Sequence, residues 1–147
     1  MWLDPNGNHK ELLEIVEKIN DGCEVSIGSD SQMVSGNWLF ATVVCLHWPG
    51  HGGTYFFTRG KKEKSSFSSL GERLMSEVYN SVMIADQIRQ LRPNLKINVH
   101  ADIASSPVAK SNRFAKIAES YIAGMGFCPS IKPDAWAAAS VADKLIR

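Results

Sequence analysis

The chemistry of this chain is concentrated in its carboxylates. Asp30 and Asp102 each fall where a strand pattern gives way to a loop, the position at which side chains of neighbouring strands meet beside a crevice. Glu77 belongs to a long helical pattern in which Leu70, Leu74, Val78, Ser81, Ala85 and Ile88 form one apolar stripe, at roughly 100° per residue. Glu77 falls inside that stripe, whereas Glu72 points to the opposite, solvent side. Asp134 opens the last helical pattern and shares a face with Ala138, Val141 and Leu145, while Asp143, beside Lys144, projects away and reads as a solvated surface residue.

An acid aimed into a protein interior costs several kcal/mol unless it is paired or binds a metal. Four such acids, Asp30, Glu77, Asp102 and Asp134, would repel one another and raise their pKa values unless a cation joined them. Hard oxygen donors favour Mg2+ or Mn2+, and the lack of clustered thiolates or histidines disfavours zinc. Each acid also has an ordinary reading. Asp30 and Asp102 suit turns, where aspartate bonds its own backbone; Glu77 suits a structural ion pair with Arg113 or Lys132; Asp134 suits a helix first turn. His100, two residues before Asp102 on the same strand face, reads as a satisfied core histidine rather than a catalytic one.

Positive charge is clustered too. Arg59, Lys61, Lys62 and Lys64, diluted only by Glu63 and followed by Ser65, Ser66, Ser68 and Ser69, suit phosphate contacts, and Phe67 suits stacking on a base. A solvated loop whose Phe67 staples the next helix accounts for the same residues. Lys110, Arg113 and Lys116 form a second basic face, and Lys132 completes the candidate substrate contacts. The net charge of +1 does not oppose a nucleic-acid partner, since a local patch suffices.

The elements that must position these residues follow from periodicity and punctuation. Asn8 with Glu11 resembles a capping box, and a helix is expected from Lys10 to Asn20. Cys23 to Asp30 reads as a strand, Trp38 to His47 and Thr54 to Thr58 as a hairpin around Pro49 to Gly53, and Ser65 to Ser69 as N-caps of a helix reaching Leu91. A strand then ends at Asp102, Ser105-Ser106-Pro107 starts a helix that Gly124 closes, Phe127 to Ile131 forms a short strand, and Pro133 opens a terminal helix to about Ile146. The expected architecture is α/β, a mixed β-sheet with an antiparallel hairpin, crossover helices and a helical extension over residues 1–22.

At 147 residues, 44% apolar and 21% charged, the chain suits one ordinary globular domain rather than a disordered segment. It has no apolar run of membrane-spanning length and no signal-like N-terminus, so the expectation is a cytoplasmic protein. Cys23, Cys45 and Cys128 are too scattered for a disulfide framework or zinc ligands.

Three segments together, Ile27-Gly28-Ser29-Asp30-Ser31-Gln32, Val99-His100-Ala101-Asp102 and Ile131-Lys132-Pro133-Asp134-Ala135-Trp136-Ala137-Ala138, resemble the YkuK-like family of ribonuclease H-like proteins, over Glu24 to the C-terminus. The resemblance implies a nuclease hydrolysing phosphodiester bonds of RNA or DNA with divalent metals. Asp30 and Asp102 would be the main ligands, Asp30 a bridging one, Glu77 an inner ligand and Asp134 a ligand of a second ion about 4 Å from the first. The helix before the first strand and the lack of a long basic insertion depart from bacterial ribonucleases H and weaken any expectation of hybrid specificity. The alternative is a catalytically weak module on the same fold that binds nucleic acid or a protein partner. A nucleotide-dependent enzyme fits less well, since the chain has no GxxxxGK[ST] phosphate loop.

Overall fold

The computed structural model describes residues 1–104 and 112–146. Two short strands, β1 (Trp2–Leu3) and β2 (His9–Lys10), precede α1 (Leu12–Glu17). A meander follows of β3 (Glu24–Val34), β4 (Asn37–Trp48) and β5 (Gly52–Glu63), after which α2 (Leu70–Leu91) leads to β6 (Ile97–Ala104). Then come α3 (Asn112–Gly124), β7 (Cys128–Lys132), a π-helical segment (Ala137–Ala142) and the single turn α4 (Asp143–Leu145).

Seven strands form one sheet in the order β2-β1-β5-β4-β3-β6-β7. β3, β4 and β5 pair antiparallel, while β6 runs parallel to β3 and β7 parallel to β6, because a crossover helix returns the chain to the same end of the sheet. The turn between β3 and β4 holds just Ser35 and Gly36, with φ of 50° and 82°, the left-handed pair that a tight hairpin with the sheet's twist requires. This mixed α/β sheet is the expected fold class. No helix among the described residues is long and apolar enough to cross a membrane.

Strand alternation decides what each sheet face carries. Val25, Ile27, Val44, Leu46, Ile97 and Val99 point to one face, where they pack with Leu74, Val78, Val82, Ala85 and Ile88 of α2 in the main core. Ala41, Val43, Cys45 and Phe57 point to the other, under Ala137, Ala142 and Ile146 of the terminal segment. By the same alternation Ser29 and Ser31 lie under α2, and Asp30 and Asp102 face the terminal segment.

Several boundaries differ from expectation. β3 continues to Val34 and β6 to Ala104, so Asp30 and Asp102 lie within strands rather than at their ends. The hairpin with β4 carries β3 onward after β6 has left it. Residues 1–22 contribute two short strands, β2 at the sheet edge and β1 between it and β5, as well as a helix, and the helix is only Leu12–Glu17, with Glu11 and Glu14 forming its capping box in place of Asn8. β1 pairs with the free edge of β5, a sheet extension two residues long and too short to leave a periodic signal. The expected helix start at 105–107 lies outside the described residues. All three cysteines are free.

Beneath α2 a chain of hydroxyls ties three elements: Ser29 Oγ lies 2.9 Å from Thr42 Oγ1 and 2.7 Å from Ser81 Oγ, all buried. Ser29 is the hub, and an unsatisfied buried polar group costs roughly 1–3 kcal/mol. Ser29→Ala strands two hydroxyls and should lower stability by about 2–4 kcal/mol, against about 1–2 for Ser81→Ala, read from urea unfolding midpoints at unchanged m-value.

Candidate functional site

The parallel register of β3 and β6 runs from Val25–Ile97 to Gly28–His100. Two residues on, Asp30 and Asp102 stand at equivalent positions just after backbone pairing ends. The strands part there, and the two side chains share the opening. Asp30 is 9% exposed. Burial above all pushes its pKa up to about 7, helped by a hydrogen-bonding contact with Asp143 and by the charges of Asp102 and Asp143, against the Ser31 N–H.

Glu77 comes from the other side of the sheet, on the first half of α2, and is 4% exposed. Ser69 begins that helix by accepting a 3.2 Å hydrogen bond from the Glu72 N–H. The Ser31 hydroxyl donates to Glu77 Oε2. Arg73, one turn earlier, lies 3.6 Å from the same oxygen, donates to Ser31 Oγ at 3.1 Å and stacks over Trp38 at 4.8 Å. Burial pushes the Glu77 pKa up to about 8; the Ser31 bond and Arg73 charge oppose this, and the charges of Asp30 and Asp102 add to it. The ion-pair partner is therefore Arg73, and neither Arg113 nor Lys132 as expected. The i,i+4 spacing of Arg73 and Glu77 was the available signal.

Lys132 pairs with Asp102 instead, its Nζ 2.9 Å from Oδ1. That oxygen is shut off from water and accepts no hydrogen bond of acceptable geometry. The opposite charges attract at this distance without the alignment a hydrogen bond needs.

The terminal segment departs most from expectation. Asp134 does not sit on an inward helix face: it lies in the turn before the helical segment and is exposed. Asp143, expected to project into solvent, is half-buried and reaches Asp30. The projection at 100° per residue fails because Ala137–Ala142 is π-helical, with i→i+5 bonding and hence a smaller rotation per residue. His100 is 4% exposed; its Nδ1 accepts the Ala137 N–H at 3.1 Å, and its ring meets Trp136 edge-on at 5.1 Å. Burial pushes its pKa down to about 4, against the nearby Asp134 charge, so it is neutral with the proton on Nε2 and joins β6 to the terminal segment.

The basic cluster is strand rather than loop as far as Glu63, so alternation divides it. Arg59 and Lys61 take the terminal-segment face, where Arg59 Nε donates to Leu145 O at 2.8 Å. Lys62 takes the α2 face, over the Phe40 and Phe67 rings at 5.5 and 5.6 Å, and Phe67 packs against Trp38 and Phe40. Lys64 and Arg113 are exposed. Lys110 lies outside the described residues.

By donor type the acids fit a hard divalent cation: all are carboxylates, burial above all raises the pKa of two of them, and one buried oxygen of Asp102 has an ion pair but no hydrogen bond. Among the described residues no group of three or more His, Cys, Asp or Glu side chains is arranged to hold a metal ion. Arg73 and Lys132 occupy the two flanks instead.

Compared with known proteins, residues 9–147 match the family described as Ribonuclease H-like. No curated protein matches the chain.

The raised acids have a thermodynamic consequence. Between its ordinary pKa of 4.5 and its folded value of about 8, Glu77 keeps a proton in the folded protein that the unfolded chain releases. The stability this contributes is present below 4.5 and lost as pH rises through 8. In metal-free buffer Glu77→Gln should therefore melt several degrees above wild type at pH 8, with the gap closing toward pH 4.5; equal melting curves at both pH values would contradict the assigned protonation.

Proposed function

The chain belongs to the ribonuclease H-like family, and we propose that it is a divalent-metal-dependent nuclease hydrolysing phosphodiester bonds of RNA or DNA. The observation that supports this reading is the position of Asp30 and Asp102 on adjacent strands just past their last paired residues, with Glu77 buried on α2 near enough to feel both charges. Like charges in a partly dry site raise one another's pKa values, and acids perturbed in this way cluster at functional sites.

Asp30, Glu77 and Asp102 would hold the ions, with Asp143 as fourth acid in place of Asp134, because Asp143 reaches Asp30 and Asp134 is exposed beside His100. Mg2+ or Mn2+, when bound, supplies activation of water and stabilisation of the leaving oxygen. The chain's own residues do the rest. Ser31 and Arg73 fix the orientation of Glu77, and the partly buried setting limits competing water. Exposed Lys61, Lys62, Lys64 and Arg113 are suited to phosphate oxygens along a strand, and Lys110 would add to them. Arg59 is already committed to Leu145 and is the weakest of the candidate contacts.

A second reading, a nucleic-acid-binding module without cleavage, is favoured by one observation: Asp102 already faces an ammonium. Calorimetry separates the two, since such a module binds nucleic acid in a salt-sensitive way without binding a divalent ion.

Purified protein should cleave labelled single-stranded, duplex or hybrid substrates with Mg2+ or Mn2+. Asp30→Asn and Asp143→Asn should each lower the rate by about a hundredfold or more, on the scale of losing a group that stabilises transition-state charge. Asp134→Asn should retain most activity. If no substrate is cut by wild type, or cleavage survives Asp30→Asn, the nuclease reading fails; if Asp134→Asn is dead and Asp143→Asn active, the assignment of the fourth acid is reversed.

A further inference from the structure

The two cations that flank the acids are held very differently. Arg73 is fixed by three partners: Trp38 beneath its guanidinium, Ser31 at 3.1 Å and Glu77 at 3.6 Å. The Lys132 side chain is 47% exposed, and its one ion pair among the described residues is with Asp102. Its ammonium faces Oδ1, the oxygen that is shut from water and left without a hydrogen bond. That oxygen is held by charge attraction without a hydrogen bond, so an incoming divalent cation would compete with the ammonium for it. A compact ammonium on a flexible stem can leave such a position at small cost, because the water it regains outside replaces much of what it loses.

From this geometry we infer that Lys132 is an exchangeable counter-ion: it neutralises Asp102 in the metal-free protein and is displaced from Oδ1 when a divalent ion binds. The inference rests on the metal-site reading above. Removing the ammonium abolishes both the competition for Oδ1 and the repulsion of the arriving cation. Both effects act in the same direction.

The test is Mn2+ titration by calorimetry on the full chain, comparing wild type with Lys132→Met and Lys132→Arg, the last retaining the charge. Lys132→Met should bind Mn2+ tighter by up to about fivefold, on the scale of one exposed ion pair, and Lys132→Arg should stay near wild type. Melting curves supply the second readout: Lys132→Met should melt below wild type without metal, and the difference should shrink in saturating Mn2+. Lys132→Gln serves if the methionine variant does not fold. Binding by Lys132→Met alone would support the inference in its strongest form. Equal or weaker binding by Lys132→Met overturns the counter-ion role and leaves the metal site standing, whereas no binding by any of the proteins overturns the metal site and this inference with it.

Discussion

Where β3 and β6 stop sharing backbone hydrogen bonds, after Gly28 and His100, the chain sets Asp30 and Asp102 side by side in a place partly closed to water. Burying Asp30 there, with the carboxylates of Asp143 and Asp102 beside it, is the constraint that the surrounding structure must bear. A charged carboxylate in such a setting is unfavourable by several kcal/mol, and it is carried by apolar packing just upstream: Val25, Ile27, Ile97 and Val99 are at most 1% exposed and hold the parallel register under α2. The same register that stabilises the sheet therefore fixes how close the acids come. Loosening the core would relieve the acids and lose the site together.

Glu77 meets these aspartates from the opposite face, which a strand-and-helix sandwich permits only near the end of the paired region. Ser29 and Ser31 make the approach possible. Large side chains at those positions would hold α2 away from the sheet, whereas two hydroxyls let Ser81 and Glu77 come down to bonding distance. The hydroxyls also answer a polarity problem: a helix face that carries an acid cannot be covered by a purely apolar strand without leaving the acid unsatisfied. Trp38 and Arg73 close the arrangement from the side, the indole supplying a flat surface for a guanidinium that must be both charged and partly buried.

How much of this could be read from the residues depended on the regularity of each element. α2 is a long α-helix, so projection at a constant angle correctly separated Glu77 from Glu72, and its burial was legible before any coordinates. Asp30 and Asp102 were legible as a pair, but their position inside the strands was not, because the extension of β3 is supported by β4 and the point where β6 leaves it is a tertiary event. β1 and β2 are two residues each and leave no periodic trace. Asp134 falls in the turn before the helical segment, and Asp143 turns inward because the π-helical stretch between them alters the angular count, of which the alanine-rich sequence carries no sign.

That stretch follows from what is attached at its two ends. At its start the Ala137 N–H is held by His100, a residue of β6 whose imidazole is kept neutral by burial and so retains the lone pair that accepts this bond. At its end the Leu145 carbonyl accepts from Arg59 of β5, and between them Ala137 and Ala142 pack on Ala41 and Val43. The ends are thus referred to strands on opposite sides of β3. A regular α-helix between the same anchors would turn Asp143 through a different angle, away from Asp30, and the wider π turn accommodates both the anchors and the acid. Small alanines are what allow it, since a helix lying this close to the sheet has no room for larger side chains on its inner face. His100 therefore acts on the candidate site through backbone geometry: as a hydrogen-bond acceptor it sets where the terminal segment begins, and through that the approach of Asp143 to Asp30.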